Sequence, residues 1–214
     1  MDKDRYIEKM GVALGTQFCA LWEQVVWLHM KWADFVELFG KKPSRIVVLD
    51  QAAPAFFRMI RGVLWDDMLL HIARLVDRPK KDRLTIQSLP RYVKDAVTKS
   101  AVEKLIKTAK HKTEFCRKPR DTLIAHTNIV VLTTAVLELG SRLQMTEALH
   151  ALGNVLNEIE TFYMGSPTSF DHVHTVGNAV DLLYVLHDGL RAAAARVDRI
   201  GRGEPFEDFA PADL

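Results

Sequence analysis

The chain has 214 residues, 48% of them hydrophobic and 26% charged, with a formal net charge of +2. That is enough apolar material for a sizeable core, and it excludes wholesale disorder. No apolar run reaches the roughly 18–20 residues of a membrane-spanning helix. The charged opening MDKDRYIEKMG lacks the apolar stretch of a secretory signal, so a cytoplasmic protein with no membrane partner is expected. The two cysteines, Cys19 and Cys116, lie in apolar-periodic segments without CxxC spacing. Reduced, buried thiols are expected there, not a disulfide scaffold or a zinc finger.

Helical periodicity dominates the chain. Phe18, Leu21, Val25, Leu28, Trp32, Phe35 and Phe39 follow unbroken 3-4 spacing, which predicts one long helix from about residue 5 to Phe39. Gly40 and Pro43 stop it. A second helix is predicted from Ser44, a suitable N-cap, to about Asp77, with a kink at Pro54. Residues 78–90 read as a polar connector. A third helix is predicted from Pro90 or Thr98 to Arg117. Residues 118–140 are interrupted by Pro119 and rich in β-branched residues, so an irregular connection with an extended stretch is expected. Ser141 with Gln144 forms a capping-box pattern that opens a fourth helix. GSPTS at 165–169 reads as a loop. A fifth helix carries Val173, Val176, Val180, Leu183, His187, Leu190, Ala194 and Val197. Long helices with such stripes bury them against one another, so the fold class expected is an all-α antiparallel bundle. It forms one domain over 1–200 with a loosely held tail over 201–214.

The charge is uneven. Residues 78–120 hold 14 Lys/Arg against 4 Asp/Glu, whereas the rest of the chain holds 15 against 23. A basic block within a near-neutral protein is the footprint of an anionic partner, although a solvated basic helix face has the same appearance. Gly-rich phosphate loops of the GxGxxG and GxxxxGK[ST] kinds are absent, which argues against Rossmann and P-loop chemistry.

The most informative segment is Arg117-Lys118-Pro119-Arg120-Asp121-Thr122-Leu123-Ile124-Ala125-His126. An Arg and a His at this spacing mean little alone in a chain with 29 Lys/Arg and 8 His. A polar residue directly after the Arg and an Ala directly before the His make the pattern far rarer. This R-D-T-L-I-A-H resembles the motif of the HEPN domain, a helical domain of RNases in toxin–antitoxin, abortive-infection and CRISPR systems. The blocks LWEQVVWLHMKWADFVELFG, PSRIVVLDQAAPAFFRMIRGVLWDDMLLHIARLVDRP, EFCRKPRDTLIAH and LLYVLHDGLRA are similar to the AbiU-type abortive-infection branch, in family order over roughly residues 20–195.

The residue types suit metal-free RNA cleavage. Histidine as a residue type titrates near neutral pH, so His126 can act as base or acid. Arg120 offers a planar, permanently charged fork to phosphate oxygens. Asp121 orients either of them or caps the turn that follows. Positions i and i+6 lie about 120° apart on a straight helix, so Arg120 and His126 converge on one phosphate only if the segment bends or two protomers pool their motifs. The resemblance implies the latter, a homodimer with a composite cleft. Lys112, Arg117, Lys118 and His111 would then flank that cleft and track the RNA backbone. The bland alternative is a surface Arg120–Asp121 pair and a half-buried His126.

Asp67, His71 and Arg74 form a polar line at i, i+4, i+7, followed by Asp77. They would hold the Arg120–His126 segment in place, or else form an ion-pair ladder along their own helix. His172-x-His174 does not make a metal site, because i, i+2 side chains do not share a helix face. His187 on the apolar stripe, and Trp22, Trp27, Trp32 and Trp65, read as core or interface residues. The expectation is therefore a metal- and cofactor-free endoribonuclease, toxin-like and active in phage defence. Its expected partners are RNA, a second copy of the chain and an antitoxin protein. The alternatives are a non-catalytic HEPN module that binds nucleotide, RNA or protein, and a helical partner of a toxin–antitoxin system whose chemistry lies in another chain.

Overall fold

A computed structural model describes residues 1–81, 83–117, 140–172 and 176–204. No strand occurs among the described residues. The helices are α1 (Lys3–Met10), α2 (Val12–Phe39), α3 (Pro43–Ala52), α4 (Pro54–Leu75), α5 (Ala96–Lys112), α6 (Arg142–Met164) and α7 (Ala179–Gly201).

Several boundaries correct the sequence reading. The first long helix is two, because Gly11 takes a positive φ of 82° at the C-cap of α1. That conformation is cheap only for glycine. The chain then reverses so tightly that a Cβ on Gly15 would sit 2.7 Å from the Ile7 backbone. Ser44 is not an N-cap. Pro43 opens α3 behind Lys42, which makes no side-chain cap, as its missing N–H and fixed φ favour. Pro54 separates α3 from α4 outright: Ala53 has left the helical region, and α4 restarts at the proline. The third helix ends at Lys112, with a 3-10 turn at Glu114–Cys116. The fifth begins at Ala179, capped by Asn178, so Val176 precedes it and is exposed. Val173 lies outside the described residues, as do 118–139 and 205–214. The capping box at Ser141 and Gln144 is formed as expected.

Two compact units emerge, one of residues 1–32 and 63–174, the other of 33–62 and 175–214. In the first, α5 and α6 pack along each other. Phe18, Leu21, Val25 and Leu28 of α2, Met68, Leu69 and Ile72 of α4, and Leu149, Leu152, Val155 and Leu156 of α6 are buried. Cys19 and Cys116 are free and buried. Tyr6 donates to the buried Glu160, which also accepts from the Thr168 backbone (2.8 Å) and hydroxyl (2.9 Å). A buried carboxylate is tolerable only with such partners. The Tyr6 hydroxyl is pushed well above its ordinary pKa by burial and by that bond.

The second unit is built on Leu38, Leu49, Phe57, Ala179 and Leu183. There Asp34 accepts from the Ala179 amide at 3.0 Å, satisfying a donor at the start of α7.

Candidate functional site

Arg120, Asp121, His126 and Lys118 lie outside the described residues. The described part of the expected site is the polar line of α4 and its surroundings in the first unit.

That line does not form a ladder along its own helix, because its partners come from α2. Asp67 accepts from Lys31 at 2.5 Å. His71 Nε2 lies 2.8 Å from Gln24 Oε1. Gln24, Trp27 and Lys31 form a second polar line, at i, i+3, i+7 on α2. The two lines meet antiparallel, Lys31 opposite Asp67 and Gln24 opposite His71. Burial pushes the His71 imidazole down to about 4, helped by the neighbouring Lys31 charge. The ring is therefore neutral at physiological pH. Arg74 is exposed and makes no ion pair among the described residues.

The loop after α4 is held by its own side chains. The buried Thr85 hydroxyl reaches the Leu75 and Asp77 carbonyls at 2.9 and 2.8 Å, and Gln87 donates to the Val76 and Asp77 carbonyls at 2.5 and 3.1 Å. These bonds satisfy carbonyls that the end of a helix leaves open. Asp77 accepts from Arg83 at 2.8 Å. The connector expected over residues 78–90 ends in a 3-10 turn over Ile86–Arg91 that buries Ile86, Ser88 and Leu89.

Residues of α2, α4 and this loop line an open cleft of about 1000 Å³. Five cations line it, Lys31, Arg74, Lys80, Lys81 and Arg83, against the acids Asp67 and Asp77. Sequence reasoning missed Gln24, Trp27, Lys31, Lys80, Lys81 and Arg83. The available signal was that Trp27 sits off the 3-4 stripe of its helix; it is 51% exposed. Trp22, Trp32 and Trp65 are half-buried.

The other expected RNA-tracking residues differ in their surroundings. Lys112 donates to Glu147 of α6 at 3.0 Å, so its charge is paired. Arg117 is exposed after the 3-10 turn. His111 is exposed, 4.0 Å from Glu114.

A second polar cluster lies between α2, α6 and the 165–172 loop, around a pocket of about 360 Å³. Asp171 Oδ1 is 3.4 Å from Nδ1 of the buried His29 and 3.2 Å from Nε2 of His150. Burial holds the His29 pKa below its ordinary value, against the pull of Asp171. His172 bonds Ser169 at 2.8 Å; His174 lies outside the described residues. No group of three or more His, Cys, Asp or Glu fit to hold a metal occurs among the described residues. His187, expected in the core or an interface, is exposed beside Asp188. No described helix is long and apolar enough to cross a membrane.

No curated protein and no solved structure matches the chain. A family model does: HEPN_AbiU2, described as AbiU2, matches residues 12–182. The match runs from the start of α2 into the first turn of α7, and it takes in the polar line of α4 and the R-D-T-L-I-A-H segment. The all-α bundle agrees with it, and the chain belongs to the AbiU2 family of HEPN proteins, of abortive-infection type.

Proposed function

We propose that the protein is a metal-independent endoribonuclease of HEPN type, a toxin-like component of phage defence that works as a homodimer. One observation carries this reading: the Arg120-Asp121-Thr122-Leu123-Ile124-Ala125-His126 segment falls inside the family match. Cleavage begins when the 2′-hydroxyl loses its proton to a base and its oxygen bonds the adjacent phosphorus. The bond from phosphorus to the 5′-oxygen then breaks, and that oxygen takes a proton from an acid. The products are a 2′,3′-cyclic phosphate and a 5′-hydroxyl. His126 is assigned the proton transfers. Arg120 is assigned the charge building on the equatorial oxygens, and Asp121 orients the Arg120 or His126 side chain. None of these steps calls for a metal.

The exposed apolar side chains of α7, among them Leu182, Tyr184, Val185 and Val197, support a partner subunit, since a lone chain leaves them in water. The test is incubation of total RNA with purified wild type, Arg120→Ala and His126→Ala proteins in the presence of a chelator. Cleavage by wild type alone is expected. Equal cleavage by all three would overturn the assignment. Salt-sensitive binding without any product would leave a non-catalytic RNA-binding module.

A further inference from the structure

We infer that the cleft lined by α2, α4 and the loop residues Lys80, Lys81, Arg83 and Leu84 binds a short stretch of single-stranded RNA, with a base stacked on Trp27 and phosphates held by Arg74, Lys80 and Lys81. Of the five cations lining the cleft, Lys31 is tied to Asp67 and Arg83 to Asp77. Arg74, Lys80 and Lys81 have no ion pair among the described residues and are exposed. Three positive charges around one cleft, with no ion pair among the described residues, repel each other, and an anion relieves that repulsion.

The second observation is the indole. Trp27 lines the same cleft with half its surface in water, and the Lys31 ammonium stands 5.6 Å from its ring centre. An exposed aromatic face beside a cationic track is the combination that binds single strands, because every base offers a π-face and every linkage a phosphate. Gln24 and His71 line the same cleft and are bonded to each other, which leaves the Gln24 amide N–H groups for a base edge. The cations sit on long side chains spread over a helix and a loop. No glycine-rich cradle of the kind that grips a compact polyphosphate accompanies them, which favours a strand over a mononucleotide. The preference for RNA over DNA rests on the nuclease reading above.

The test uses the full-length protein carrying His126→Ala, so that the probe stays intact. Binding of a labelled oligoribonucleotide of about eight residues is followed by fluorescence anisotropy from about 50 to 200 mM salt. Trp27→Ala is expected to weaken binding about tenfold. The triple variant Arg74→Ala, Lys80→Ala, Lys81→Ala is expected to lower the slope of log affinity against log salt by about 2, at about 0.7 per phosphate lost. Lys80→Glu with Lys81→Glu, confined to the loop, gives the same direction without touching a helix, and circular dichroism checks that each variant is folded.

Unchanged affinity and slope in these variants overturn the assignment. So does displacement of the oligonucleotide by ATP at equal affinity, which makes the cleft a mononucleotide site. An equally tight deoxyoligonucleotide overturns the choice of RNA. Binding that depends on Trp27 without cleavage by wild type sinks the nuclease reading alone. Cleavage with binding indifferent to Trp27 and the three cations sinks the cleft alone.

Discussion

Gln24 and His71 face each other across α2 and α4, with His71 Nε2 2.8 Å from Gln24 Oε1. A carboxamide oxygen only accepts, so Nε2 carries the ring proton and donates it. Burial, with Lys31 and Arg74 near, holds the imidazole down at about 4 against the ordinary 6.5, and Asp67 only partly offsets them. The folded state therefore keeps a neutral ring where the unfolded chain takes up a proton. The stabilisation is complete above pH 6.5 and is lost as pH falls toward about 4. His29, also lowered by burial, acts in the same direction. The melting temperature is expected to fall over this range, and His71→Gln to show a shallower fall than wild type. Identical acid limbs in the two proteins would contradict this account of the α2–α4 contact.

Thr85 fixes the loop that carries Lys80 and Lys81. Its hydroxyl is fully buried and lies within 2.9 Å of two carbonyls at the end of α4. Thr85→Val keeps the shape and removes the donor, leaving carbonyls short of a partner. A loss of about 1–3 kcal/mol in urea unfolding is expected. A change within the error of the measurement would show that the loop is held without the Thr85 hydroxyl, by Gln87 and the Arg83–Asp77 pair.

The apolar side chains on α7 test the proposed dimer. Tyr184 and Val185 are 67% and 69% exposed, so a charge there costs the single chain little. Tyr184→Glu with Val185→Glu is expected to shift sedimentation from dimer to monomer and to abolish cleavage with the fold retained. A wild-type protein that sediments as a monomer and still cleaves RNA would remove the composite cleft.

Much of this fold is legible because its determinants are local. The stripe from Phe18 to Phe39 declares its helix by spacing alone, and Ser141 with Gln144 declares the start of α6 by two reciprocal bonds. The breaks at Gly11 and Pro54 are harder. A glycine inside a helical pattern costs only about 1 kcal/mol, and a proline can kink a helix or end it. Which outcome wins depends on packing, here the close approach at Gly15. The 3-10 turn at Ile86–Arg91 is too short for periodicity to show, although Ile86 and Leu89 are fully buried.

The candidate site divides the same way. Asp67, His71 and Arg74 stand out because polar residues break an apolar run. Gln24, Trp27 and Lys31 carry the matching line on α2, and nothing local says that the two lines meet. That is a tertiary fact, and it is why the cleft and its exposed indole escaped the sequence reading. The Arg120–His126 motif was legible through its spacing and its family pattern together.

The most direct test of the nuclease account is the chemistry of the product ends. Wild type and His126→Ala are incubated with one oligoribonucleotide, and the fragments are resolved by mass spectrometry. The account predicts 2′,3′-cyclic phosphate and 5′-hydroxyl ends from wild type and no fragments from His126→Ala. Fragments ending in a 3′-hydroxyl, or equal cleavage by both proteins, would contradict it.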